Sequence, residues 1–143
     1  MRTQVKLNGW DTHSRQKNIL NRKFKELDEG IKALHDGLGD QWKNTIVIIG
    51  TEFGRTAKMN GTGGTDHGTA TSMFMTGGAT KGGQVLGRWP GLSKDKLYEN
   101  RDLQPTSNTF SWIASSLSQH WQLDNSQTAR IFPQTKTLDT KLV

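Results

Sequence analysis

Ile46-Val47-Ile48-Ile49-Gly50-Thr51-Glu52-Phe53-Gly54-Arg55-Thr56, followed shortly by Gly64-Thr65-Asp66-His67-Gly68, decides how this chain is read. A run of β-branched apolar residues bounded by glycine predicts a strand buried on both faces, the kind found inside a parallel sheet. The polar residues come directly after it. In open α/β sheets, ligands bind in the crevice beyond the carboxyl ends of the strands, so Glu52, Asp66 and His67 stand where chemistry is expected.

Upstream, Thr3 to Leu7 alternates weakly and predicts a short strand ending at Asn8-Gly9. Trp10-Asp11-Thr12-His13 follows as a loop. Ile19, Leu20, Phe24, Leu27, Ile31, Leu34 and Leu38 then recur every three or four residues among Lys, Glu and Asp. That spacing predicts an amphipathic helix starting near Ser14 and stopped by Gly37 and Gly39. Strand, helix and the strand at Thr45 to Ile49 would form a βαβ unit with a right-handed crossover.

Downstream, twelve of the 16 glycines lie between Gly50 and Gly91, which marks loops around a site. Thr71 to Thr76 and Gln84 to Gly87 read as further strands, and Arg88-Trp89-Pro90-Gly91 as a turn. Helical spacing returns from Thr106 or Ser107, with Phe110, Ile113, Ala114 and Leu117 on one face, and ends around His120 to Leu123. The tail after Phe132-Pro133 reads as polar and frayed. The fold class expected is α/β, a partial doubly wound and mostly parallel sheet flanked by helices.

Composition narrows the function classes. The hydrophobic content of 31% is low for a complete α/β domain, as is the mean hydropathy of -0.71, and both point to part of something larger. A formal charge of +6 favours anionic ligands without specifying a nucleic-acid binder. The absence of cysteine excludes thiolate chemistry and disulfides. No apolar run approaches the roughly 18 residues of a membrane span, and the first residues lack the apolar centre of a signal peptide, so the expectation is a soluble chain with no membrane partner.

Asp11 and His13, Glu52, and Asp66 with His67 close three successive elements at one end of the expected sheet. This mixed oxygen and nitrogen set suits a divalent metal, zinc best, with manganese or magnesium as alternatives. Each pair has a plainer reading. Asp11 and Thr12 are also suited to cap the following helix, Glu52 to pair with Arg55, and Asp66-His67 to form a turn. Shared placement is what favours a site. His35, on the helix flank, and His120, near the last helix end, read as structural.

Gly9-Trp10-Asp11-Thr12-His13-Ser14-Arg15-Gln16, Gly50 to Thr56, Gly64 to Gly68, Gly82 to Gly87, and Trp89-Pro90-Gly91-Leu92 through Leu97 to Leu103 carry a resemblance. Together, in this order, they resemble the carboxy-terminal part of the domain-of-unknown-function family 1501, placed in the alkaline phosphatase and sulfatase superfamily. The resemblance implies that residues 1–133 are the carboxy-terminal portion of such a domain, with 134–143 a polar tail. It also implies a metal held by Asp11, His13 and His67. A second metal of that superfamily is held partly by an Asp-His pair where this chain has Glu52-Phe53, and Phe53 cannot coordinate. The nucleophile, a Ser, Thr or modified Cys, comes from the amino-terminal half in that superfamily, and full-length relatives are commonly exported.

The function expected is therefore metal-assisted hydrolysis of a small phosphate or sulfate ester. Glu52 or Asp66 would orient water or act as general base, and Arg55 would pair with the ester oxygens. Two other classes compete. One is a silent fragment that forms a homo-oligomer through an exposed sheet edge. The other is a basic polyanion-binding module using Lys17, Arg22, Lys23 and Lys25, weakened by the interleaved Glu26, Asp28 and Glu29, which tells against nucleic acid.

Overall fold

Period-3.6 patterning and β-branched runs produce the expected elements in part, and pair them differently. A computed structural model describes residues 2–143; Met1, the expected start of the domain, lies outside them. In chain order come helix α1 (Gln16–Leu38), a 3-10 turn (Gly39–Asn44), strands β1 (Val47–Ile49), β2 (Gly54–Arg55), β3 (His67–Gly68) and β4 (Phe74–Thr76). A second 3-10 turn (Lys94–Lys96) and helices α2 (Thr109–Trp121) and α3 (Asn125–Ile131) follow.

The chain is a mixed α/β structure with two small antiparallel sheets. β1 pairs with β4 through Val47–Thr76, Ile48–Met75 and Ile49–Phe74. β2 pairs with β3 through Gly54–Gly68 and Arg55–His67. No parallel pair forms among the described residues, so the expected parallel ladder is replaced by hairpin-like pairing. Thr3 to Leu7 joins no sheet. The βαβ unit and its crossover are consequently absent here. Gln84 to Gly87 forms no strand either, and Val85 is fully exposed. A strand exists only through a partner's hydrogen bonds, and neither segment meets one. For the same reason β1, expected to be buried on both faces, is only half-buried.

Helix α1 follows its pattern closely. Lys23–Glu26 (2.7 Å), Arg22–Glu26 (3.7 Å) and Lys25–Glu29 (3.8 Å) pair along it at helical spacing. It ends at Gly39, whose positive φ of 49° suits glycine and whose N–H donates to the His35 carbonyl. Helix α2 starts at Asn108, whose side chain accepts from the Phe110 N–H at 2.9 Å. Helix α3 lies beyond the expected helix end. Its signal is a capping box, Asp124 and Gln127 bonding each other's backbone N–H at 2.8 and 2.9 Å.

The tail is docked rather than frayed. Leu142 is buried, the Leu138 N–H donates to Ser115 Oγ at 2.8 Å, and Gln119 bonds the Thr140 carbonyl and the Leu142 N–H. Leu97, Ala114 and Leu142 form the small apolar core, beside buried Ser111, Ser115 and Ser116 of α2. The accessible surface is 10516 Å² for 16.0 kDa, against about 7,400 Å² for a compact monomer of that mass. Phe24, Leu34, Phe74 and Phe110 are among the apolar side chains left exposed. No helix among the described residues is long and apolar enough to cross a membrane.

Candidate metal centre

The loop before α1 and the β2–β3 hairpin meet at Asp11. β-pairing sets Arg55 opposite His67, and the hairpin is extended by the Thr56 N–H donating to the Asp66 carbonyl at 3.0 Å. The connecting loop then folds onto the start of α1. Arg15 and Gln16 donate their backbone N–H groups to the carbonyls of Thr62 (3.2 Å) and Gly63 (2.9 Å). These loop carbonyls take the place of a side-chain cap at the helix start. Neither Asp11 nor Thr12 caps it. Thr12 is buried and accepts from the Gln16 side chain at 3.0 Å.

Asn60 staples the loop. Its Nδ2 donates to the His13 carbonyl (2.9 Å) and to Asp66 Oδ1 (3.0 Å), while its Oδ1 accepts from the N–H groups of Thr62 and Gly64, both at 3.0 Å. Gly64 lies directly against the His13 backbone, leaving no room for a Cβ. Close approach therefore requires glycine here.

The result is a three-residue group. His67 Nε2 lies 2.8 Å from Asp11 Oδ1, and His13 Nε2 lies 3.0 Å from the same oxygen. The His13 and His67 rings are 4.9 Å apart, and one ligand atom from each of the three residues falls within 4.8 Å of the others. Asp11, His13 and His67 are all about half exposed, so the group is open to solvent. The hydrogen bond from His67 and the nearby charges of His67, His13 and Arg55 hold the Asp11 carboxyl below its ordinary range, against some desolvation.

Each partner residue has a definite place. Arg55 Nη2 donates to Asp11 Oδ1 at 2.7 Å and to the Trp10 carbonyl at 3.2 Å, while Nη1 donates to the Thr65 carbonyl at 2.9 Å. Its guanidinium thus anchors Asp11 instead of facing open solvent. Asp66 Oδ1 stands 3.6 Å from His13 Nδ1, outside the three-residue group but behind one of its rings. The Asn60 hydrogen bond, joined by His13, lowers the Asp66 carboxyl from its ordinary value. Glu52 is exposed, outside the group, and makes no ion pair with Arg55 among the described residues. Phe53 stacks on His67.

The donor set fits a single divalent ion. One carboxylate oxygen and two imidazole nitrogens match the three-ligand sets of catalytic zinc sites, which keep a further position open. At 2.8 and 3.0 Å both Nε2 atoms touch the carboxylate directly, and an ion would take the place of these contacts. With Nε2 coordinating, a neutral His13 carries its proton on Nδ1, facing Asp66.

His35 and His120 lie elsewhere. His35 contacts Asp36 at 3.0 Å and Trp42 edge-on, and His120 sits in the last turn of α2.

Asn60, Thr62 and Asp102 were not among the site residues expected from sequence. Asn60-Gly61 carries a turn signature, which marks a bend without revealing that the Asn60 side chain spans to His13. Asp102 is buried, accepts from Thr69 Oγ1 at 2.8 Å and pairs with Arg101 Nε at 2.8 Å. It thereby ties the segment following His67 to the Arg101 turn.

Fold and site together define an α/β chain with an exposed Asp-His-His group suited to a divalent ion. The family model described as "Protein of unknown function (DUF1501)" matches residues 2–132. The chain belongs to this family. No curated protein and no solved structure matches it.

Proposed function

We propose that Asp11, His13 and His67 hold a divalent metal, zinc by preference, in a hydrolase acting on phosphate or sulfate esters. The single observation that carries the metal reading is the convergence of one carboxylate oxygen and two Nε2 atoms from residues up to 56 positions apart. Arg55 behind Asp11 and Asp66 behind His13 support it, since ligands of working metal centres are held by such outer partners. When bound, the ion would supply Lewis acidity, lowering the pKa of its bound water from the bulk value to about 7.

The chain's own residues would do the rest. Arg55 keeps Asp11 ionised and aimed. Asp66, its Oδ1 facing His13, would fix the His13 ring and is one candidate to accept a proton from attacking water. Glu52, exposed after β1, is the second candidate base. Arg55 gives three of its five N–H donors to Asp11, Trp10 and Thr65, and those left, with backbone N–H groups of the glycine-rich loops, would carry anionic ester oxygens. The ester class rests on the superfamily resemblance.

We also propose that the chain is the carboxy-terminal portion of a doubly wound, mostly parallel α/β domain of the alkaline phosphatase type. The large exposed surface and the free outer edge of β1 support this reading. The same two observations favour the second reading, a silent fragment that pairs edge to edge with another copy. Polyanion binding is weakened because Arg22, Lys23 and Lys25 are already engaged by Glu26 and Glu29.

Elemental analysis after dialysis against zinc, manganese and magnesium tests the metal centre. The expected result is near-stoichiometric metal in the wild type and its loss in Asp11→Ala and His67→Ala. Metal-free wild type, or metal retained in His67→Ala, overturns it, and a concentration-dependent mass would then identify the oligomer.

A further inference from the structure

The two imidazoles of the centre are supported differently. His13 has the Asp66 carboxylate 3.6 Å from its Nδ1. His67 contacts Asp11 through Nε2, and among the described residues no second side-chain hydrogen bond orients its ring. Imidazole ligands ordinarily have an outer partner on the second nitrogen, which sets the ring plane and the tautomer. His67 has an aromatic ring instead. Phe53 stacks on it with centroids 4.5 Å apart and planes 17° from parallel.

Phe53 also reaches the third ligand's support. The Arg55 guanidinium carbon lies 4.9 Å from the Phe53 ring centre, within the range of a cation–π contact. Arg55 in turn donates to Asp11 at 2.7 Å. One side chain with no coordinating atom therefore touches both His67 and the anchor of Asp11. The hairpin register that sets Arg55 opposite His67 places Phe53 where both contacts are made.

We infer that Phe53 is a positioning residue of the Asp11–His13–His67 centre, a flat plate that fixes the His67 ring plane and steadies Arg55. This rests on the metal-centre reading. Stacking restrains tilt without a hydrogen bond to Nδ1, so the two rings would be held by different means, His13 by a carboxylate and His67 by an aromatic face. An aliphatic residue of similar size fills the same space without a flat face or a π-cloud, and it would not replace the ring.

Cobalt(II) titration of the full chain, followed by its visible absorption, separates the possibilities. Phe53→Leu is expected to weaken cobalt binding about 10- to 100-fold, as losing an outer support does, and to change the band shape. Phe53→Tyr is expected to match the wild type. Wild type that binds no cobalt overturns the centre and this inference with it. Cobalt bound by the wild type, lost in His67→Ala and unchanged in affinity and spectrum in Phe53→Leu overturns the plate alone. So does Phe53→Tyr as weak as Phe53→Leu. If circular dichroism shows Phe53→Leu unfolded, proton NMR of the wild type decides. The carbon-bound ring protons of His67, assigned by their absence in His67→Ala, are expected upfield of those of histidine in a short unstructured peptide, and unshifted signals overturn the stack.

Discussion

Helix α1 spans 23 residues and buries none of them, whereas the cluster around Asp11 is held by side-chain bonds that cross up to 56 positions of sequence. Past its first turn, which the Thr62 and Gly63 carbonyls cap, the helix needs only its neighbours. Its hydrogen bonds run four residues, its ion pairs three or four, and its end is set by one glycine. The cluster has no local reason to exist. Asp11, His13, Asn60, Asp66 and His67 sit on loops and a two-residue strand, and each is placed by groups from the other segment. Local terms thus build the most regular element, while the chemistry is assembled where regular structure stops.

The sharpest way to break that contrast is Gly64→Ala. A methyl group there meets the His13 backbone, and overpacking of this kind costs about 1–3 kcal/mol. Urea unfolding should show that loss, with metal binding reduced as the loop is pushed from His13. An unchanged midpoint would mean the loop is loosely seated. Asn60→Ala comes next. It removes five hydrogen bonds reaching His13, Asp66, Thr62 and Gly64, and the expected loss is about 1–2 kcal/mol.

The helix should respond far less. Leu34 is 39% exposed, so Leu34→Ala should stay within about 0.5 kcal/mol of wild type. A loss several times larger, growing with protein concentration, would show that another copy covers this face. The smallest effect concerns pH. Asp11's folded value is lowered, so its contribution is present above the ordinary carboxylate range, about pH 3.9, and fades as pH falls through the lowered value. Asp11→Asn should therefore flatten the acid limb of stability against pH and leave the neutral region level. A limb as steep as wild type would assign the effect to other carboxylates.

Particular residues show why legibility divides this way. Ile19 to Leu38 announce a helix because their spacing is itself the helix period. Ile46 to Ile49 announce a strand, but three paired residues carry no mark of the partner, and β4 joined antiparallel where a parallel neighbour was expected. Asp124 to Gln127 held a readable capping box that a polar context obscured. The motifs of Asp11, His13 and His67 were legible as chemistry by residue type. The roles of Arg55, Asp66 and Phe53 were not, because a guanidinium bonds whatever faces it, and a phenyl ring has no pattern that foretells an imidazole against it.

By itself the sequence determined the helices with clear periodicity, the β-branched strand, the basic charge, and which residues are able to ligate a metal, since these depend on side-chain type and spacing over a few residues. Only the tertiary structure decided the strand pairing, the docking of the tail, and the meeting of Asp11 with His67 across 56 positions. Such contacts depend on loop closure and on hydrogen bonds between distant segments, which no local pattern encodes.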